Sequence, residues 1–167
     1  YDSDGRLSRQ QNANGTYTQY SYSGDQLASI VHYDAAGAVL SSYAYTYDSQ
    51  GHVTSLKEPA GTWRYTYDAA GQLTQATAPD GTVTTYTYDA AGNRTAKTTD
   101  GKTTNYTANS LNQYTAYGEV RRTYDQNGNV LTEQKGGQTA RYTYDAQGQL
   151  TGCTDFDGTV YQYGYDA

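Results

Sequence analysis

The chain has 167 residues and a formal net charge of −6, a length that sets an expectation of about one domain. Leu, Ile, Val and Phe together number 17, too few for a conventional aliphatic core, whereas 21 residues are Tyr, whose rings bury amphipathic surface and still offer a hydroxyl. The acidic balance leaves little long-range attraction for nucleic acid or anionic lipid, and no apolar run of about 18 residues supplies a membrane-spanning helix. The start, Tyr1-Asp2-Ser3-Asp4, lacks the pattern of a signal peptide.

Self-similarity organises the rest. The dipeptide Tyr-Asp recurs at Tyr1, Tyr33, Tyr47, Tyr67, Tyr88, Tyr124, Tyr144 and Tyr165, with best-kept intervals of 20 or 21 residues. Taken in order, Asn14-Gly15 predicts a first short hairpin turn. Tyr33-Asp34 then opens an Asp-x-x-Gly turn closed by Gly37, in which Asp accepts backbone N–H bonds and Gly takes the left-handed conformation. No Asp-Gly signal interrupts the segment from Ala38 to Tyr45, so one longer strand is expected there, with Tyr43, Tyr45 and Tyr47 on one face.

The pattern continues with Asp48 and Gly51, then a second kind of turn at Ala60-Gly61. The fullest repeat carries Tyr65, Tyr67, Asp68 and Gly71, followed by Asp80-Gly81, and the next carries Tyr86, Tyr88, Asp89 and Gly92, followed by Asp100-Gly101. Around Tyr106 to Tyr114 the Tyr-Asp pair is missing and Asn109 takes the Asp position, so the meander is expected to bend or loosen. The last repeats carry Tyr124, Asp125 and Gly128, then Gly136-Gly137, then Tyr142, Tyr144, Asp145 and Gly148, then Asp157-Gly158. The predicted fold is all-β: tandem antiparallel hairpins, about two strands per repeat of about 20 residues, in an extended sheet. Residues 1–167 read as a single array, and both ends fall inside the pattern, so a section of a longer protein is expected. Rings on one face are expected to pack mainly on one another as a tyrosine ladder.

Catalytic and metal chemistry find little footing. Most of the 14 Asp sit at turn positions. Asp2-Ser3-Asp4-Gly5 and Asp155-Phe156-Asp157-Gly158 look like the opening of an EF-hand loop but lack its later ligands and terminal Glu. His32 and His52 have no partner at zinc-ligand spacing. Cys153 is unpaired and corresponds by its offset to Ala76, a small strand residue without a base beside it. Glu58, Glu119 and Glu133 form no repeated carboxylate pair. The reading is a non-enzymatic chain with no cofactor and no metal.

The run Tyr65-Thr66-Tyr67-Asp68-Ala69-Ala70-Gly71-Gln72-Leu73-Thr74 resembles the YD-repeat, or Rhs-repeat, family, and the likeness returns at Tyr86 to Arg94 and Tyr142 to Thr151. Asn109 to Thr115 is similar to a segment common in bacterial Rhs proteins. The resemblance implies a β-ribbon that spirals into a hollow shell around a C-terminal toxin segment, in bacterial polymorphic toxins and insecticidal toxin complexes, or a similar shell used for cell-surface adhesion in teneurins. Its implied partners are the adjacent repeats and the enclosed toxin segment; its implied location is secreted or cell-surface, in a bacterium. Bacterial members carry a downstream Asp-Pro core for autoproteolysis. Here Pro59 follows Glu58 and Pro79 follows Ala78, so no such residue carries over. The alternative is a carbohydrate-binding or adhesion module, since choline- and glucan-binding repeats have a similar length and an aromatic-Asp-x-x-Gly hairpin. Those use Trp in each unit, and here Trp63 stands alone. An outer-membrane barrel needs a lipid-facing band, for which 16 Leu, Ile and Val over roughly 16 strands are too few. Strand edges of the isolated segment are expected to self-associate.

Overall fold

The computed structural model describes residues 1–166. It is all-β, with sixteen antiparallel strands hydrogen-bonded in sequence order. Two compact units divide the chain. Unit 1, Tyr1–Thr85, holds β1 (Arg9–Gln11), β2 (Tyr17–Ser23), β3 (Gln26–Tyr33), β4 (Val39–Tyr47), β5 (Val53–Glu58), β6 (Gly61–Tyr67), β7 (Leu73–Thr77) and the start of β8 (Val83–Tyr88). Unit 2, from Tyr86 onward, holds the end of β8 with β9 (Arg94–Thr99), β10 (Lys102–Ala108), β11 (Tyr114–Tyr117), β12 (Val120–Tyr124), β13 (Val130–Lys135), β14 (Gln138–Tyr144), β15 (Leu150–Thr154) and β16 (Val160–Gln162). The uninterrupted segment before Tyr47 forms β4, which at nine residues is the longest strand.

Alternation along the strands separates two faces. In β4 and β6 the positions of Tyr43, Tyr45, Tyr47, Tyr65 and Tyr67 are half-buried while the intervening Ala44, Thr46, Arg64 and Thr66 are exposed. Neither face is sealed: among the described residues only Ala76, Val120 and Ala140 are buried. Threonine and serine hydroxyls line the open face in cross-strand pairs, Thr46 with Thr54 at 2.9 Å, Thr66 with Thr74 at 3.2 Å, Thr123 with Thr132 at 2.7 Å and Thr143 with Thr151 at 3.3 Å. Such pairs hold β-branched residues in a pleated sheet without a core behind them.

Strict alternation breaks in hairpins whose first strand ends on a motif tyrosine, and not in those closed at Asp100-Gly101 and Gly136-Gly137. Thr66 pairs with Gln75 and Tyr67 with Leu73, leaving Thr74 as the extra residue of a bulge. The same shift occurs at Tyr33, Tyr47, Tyr124 and Tyr144. A bulge reverses the parity of the residues beyond it, so Leu73 lies opposite Tyr67 and Ala76 opposite Tyr65, both on the tyrosine face although three positions apart. Leu150 and Cys153 stand likewise opposite Tyr144 and Tyr142.

Candidate functional site

The repeated local structure is the loop that follows each motif tyrosine. In the loop at Asp68 the backbone closes by Asp68 N–H donating to the Gln72 carbonyl at 2.9 Å and Gly71 N–H donating to the Asp68 carbonyl at 3.0 Å. Asp68 Oδ1 accepts from the N–H groups of Ala70 and Gln72, each at 2.9 Å. Asp34, Asp48, Asp89, Asp125 and Asp145 accept from the residues two and four further on in the same way. Gly37, Gly51, Gly71, Gly92, Gly128 and Gly148 are all left-handed, as a type I turn closed by a bulge requires.

The same geometry reaches further than the motif. Asp2 accepts from the Asp4 and Arg6 N–H groups, which accounts for the acidic start as one more turn. Asn109 accepts from Leu111 and Gln113 N–H, each at 3.0 Å, and Asn112 takes the left-handed position with φ +60°. The hairpin at Tyr106 to Tyr114 is therefore not loosened as expected; an asparagine amide oxygen replaces the carboxylate, and a second asparagine replaces glycine. Asn14-Gly15, Asp80-Gly81 and Asp157-Gly158 end four-residue loops that begin at Asn12, Ala78 and Asp155, so they belong to the first kind of turn. Two-residue hairpins occur at Asp100-Gly101 and Gly136-Gly137, with both central residues at positive φ, and also at Gly24-Asp25 and Gly118-Glu119, which sequence reading passed over because neither carries an Asp-Gly order.

Ring-on-ring packing is partial. Tyr17 stacks on Tyr33 at 4.6 Å between ring centroids, and Tyr106 meets Tyr114 at 5.5 Å and Tyr117 at 6.4 Å. The bulge explains the departure from a continuous ladder, since it sets Leu73 and Ala76 opposite Tyr67 and Tyr65. Arginines cover several other rings: the Arg9 guanidinium lies 3.8 Å from the Tyr17 centroid and that of Arg94 lies 4.9 Å from Tyr86.

The phenol hydroxyl has a recurring use. Tyr22, Tyr47, Tyr67, Tyr124, Tyr144 and Tyr165 donate to the backbone carbonyls of Leu7, Leu27, Val53, Tyr114, Val130 and Leu150, at 2.7–3.0 Å. Val53, Tyr114, Val130 and Leu150 are the first residues of strands that leave an earlier loop. The bonds from Tyr67, Tyr124 and Tyr144 therefore tie the end of one hairpin strand to the loop before it. No composition count distinguishes this role from simple ring burial, because it depends on where the hydroxyl ends.

Hydrogen bonding biases the turn carboxylates toward the charged form. The His52 side chain holds Asp48 below the usual carboxylate range, and the side chains of Asn93 and Asn129 do the same for Asp89 and Asp125. A carboxylate depressed in the folded state stabilises it above the unfolded pKa, near about 4, and that contribution is lost as pH falls through the folded value. The urea midpoint is thus expected to stay level between about pH 7 and 5 and to fall below about pH 4. The triple variant Asp48→Asn, Asp89→Asn, Asp125→Asn should flatten that fall; an unchanged acid limb would separate these carboxylates from it. Burial pushes the Cys153 thiol up, away from the thiolate a nucleophile needs. Among the described residues no group of three or more His, Cys, Asp or Glu is placed to hold a metal ion, and no helix is long and apolar enough to cross a membrane.

Tandem hairpins joined by recurring four-residue loops and two-residue turns, and tied by tyrosine hydroxyls, define a β-repeat protein. The family described as teneurin YD-shell matches residues 60–167, more than half of the chain, and the chain belongs to that family. Among solved structures, it is similar to the Tc holotoxin pore of Photorhabdus luminescens, with 20% identity and a TM-score of 0.60. It is also similar to a TcdB2-TccC3 complex without the hypervariable C-terminal region and to a TcdB2-TccC3-Cdc42 structure, each 20% identical, with TM-scores of 0.61 and 0.60. Each likeness covers 92% of this chain and 11% of the other, so the chain spans about a ninth of their length. A comparison with curated proteins found no match.

Proposed function

We propose that this chain is a continuous section of shell wall that surrounds or presents a C-terminal toxin segment of its parent, outside a bacterial cell. The observation that carries this reading is the sequential order of short antiparallel strands with both faces half-open. Such a sheet grows by adding hairpins, each stabilised by its neighbours, and gains extent without needing a thick core. The role is non-enzymatic, with the motif residues serving the loops and ties of the wall. Its partners are the adjacent repeats and the enclosed segment, and the sheet spirals as repeats accumulate. Electron cryo-microscopy of the full-length parent tests this. A hollow particle with this segment in its wall and density inside is the expected result; a flat ribbon or a solid repeat stack would overturn it.

A second expectation concerns the segment alone. In unit 1 and unit 2 respectively, β1 and β16 are outermost in strand order and have three residues each, and Val160 and Tyr161 are exposed on β16. Unpaired edges template further strands, so light scattering should show association that grows with concentration. Val160→Lys should reduce it, as an edge lysine discourages pairing. A monomer at all concentrations would contradict the expectation.

A further inference from the structure

The turns closing β5–β6 and β7–β8 meet within unit 1. A Cβ at Gly61, the first residue of β6, would lie 2.7 Å from the Cβ of Pro79, so the backbone just after the Pro59-Ala60 turn presses directly on the proline of the second turn. Beside that contact is an open recess of about 590 Å³, lined by Glu58, Ala60, Trp63, Pro79, Asp80 and Thr82 among others. Trp63 is the single tryptophan of the chain and is half-buried. Its indole N–H donates to Glu58 Oε1 at 2.9 Å, and its ring is parallel within 3° to that of Tyr65. Asp80 is exposed at the rim, its carboxylate accepting from the Thr82 N–H at 2.9 Å.

Elsewhere the chain fills this combination of groups with arginine. The Arg122 guanidinium lies 4.9 Å from the Tyr117 centroid and donates to Glu133 at 2.6 Å. That of Arg6 lies 4.6 Å from the Tyr22 centroid while pairing with Asp2 at 2.8 Å and Asp4 at 2.7 Å. An aromatic face beside a carboxylate suits a planar, weakly hydrated cation, which stacks and donates at once. At Trp63 the aromatic and two carboxylates are in place, and strand parity sends the neighbouring cations Arg64 and Lys57 to the opposite face.

We propose that the Trp63 recess binds the guanidinium of an arginine side chain carried by another polypeptide, stacked on the indole and bonded to Glu58 and Asp80. An ammonium would satisfy the charge but not the flat face. A neutral sugar would cover the indole and leave the carboxylates without a counter-charge.

Because Trp63 is the only indole, its fluorescence reports this recess alone. The chain is titrated with N-acetyl-arginine amide and an arginine-containing peptide, beside N-acetyl-lysine amide and cellobiose, with the Trp63 indole N–H followed by NMR as a second readout. A saturable response to the arginine ligands is expected, about fivefold tighter than to lysine and weakened by salt. Glu58→Gln and Asp80→Asn keep side-chain shape and turn acceptor, and each should weaken arginine binding about fivefold or more. No saturable response up to about 50 mM, an equal or stronger response to cellobiose, or unchanged binding when Glu58→Gln and Asp80→Asn are combined in one chain would overturn the proposal. None of these outcomes bears on the shell reading, which rests on the strands.

Discussion

Gly71→Val should destabilise unit 1 by about 3 kcal/mol or more, whereas Asp68→Asn should cost less than about 1 kcal/mol. Gly71 has φ +77°, a conformation that costs an L residue about 1–2 kcal/mol and a β-branched one more. Space adds to the backbone term: a Cβ there would lie 2.8 Å from His52 Nε2 and 3.2 Å from Cε1. That ring cannot easily withdraw, because its Nδ1 is 2.9 Å from Asp48 Oδ2 and its face stacks on Tyr67 at 4.8 Å. Asparagine at position 68 keeps an acceptor for the Ala70 and Gln72 N–H groups, as Asn109 does in its own loop. Gly81→Val is the matched control, since Gly81 has φ +88° with nothing within 4 Å of its Cβ. Urea unfolding followed by Trp63 fluorescence reports unit 1. Equal losses for Gly71→Val and Gly81→Val would remove the His52 contact from the account, and a larger loss for Asp68→Asn than for Gly71→Val would give the carboxylate a role beyond the turn.

Tyr67→Ala should cost about 2–3 kcal/mol and Tyr67→Phe about 1 kcal/mol. The ring is half-buried and stacked on His52, so alanine loses area and an aromatic contact. Phenylalanine keeps both and removes only the 2.8 Å bond to the Val53 carbonyl. Tyr47→Phe removes the matching bond to Leu27, and the double Phe variant should lose about 2 kcal/mol if the two ties are independent. Hydrogen exchange supplies the local check: amides around Val53 should exchange faster in Tyr67→Phe, while those around Leu27 respond to Tyr47→Phe. Phe variants as stable as the parent would mean that the tyrosines act through ring burial alone.

Much of this architecture was readable because short-range chemistry sets it. Asp at the first and Gly at the fourth loop position specify a turn whatever surrounds it, so the loops at Asp34, Asp68, Asp89, Asp125 and Asp145 could be placed from residue type alone. The absence of such a signal between Ala38 and Tyr45 was enough to foresee β4. The loop at Asn109 was harder to read: Asn109 could be placed at the Asp position, but that Asn112 does there what Gly does elsewhere shows only in its φ angle.

Residue order was enough for the all-β class, the Asp-x-x-Gly loops and the segregation of tyrosine from threonine, since these follow from period-two alternation and local turn chemistry, whereas the turns at Gly24-Asp25 and Gly118-Glu119 showed only in the pairing. Tertiary structure alone decided the bulge that brings Leu73 and Ala76 to the tyrosine face, the carbonyl that each phenol reaches, and the meeting of Gly61 with Pro79 beside Trp63. The physical reason is register: a bulge in one strand shifts which residues of the next stand opposite. Contacts between residues fourteen or more positions apart, such as Tyr67 with Val53, exist only once that pairing is set.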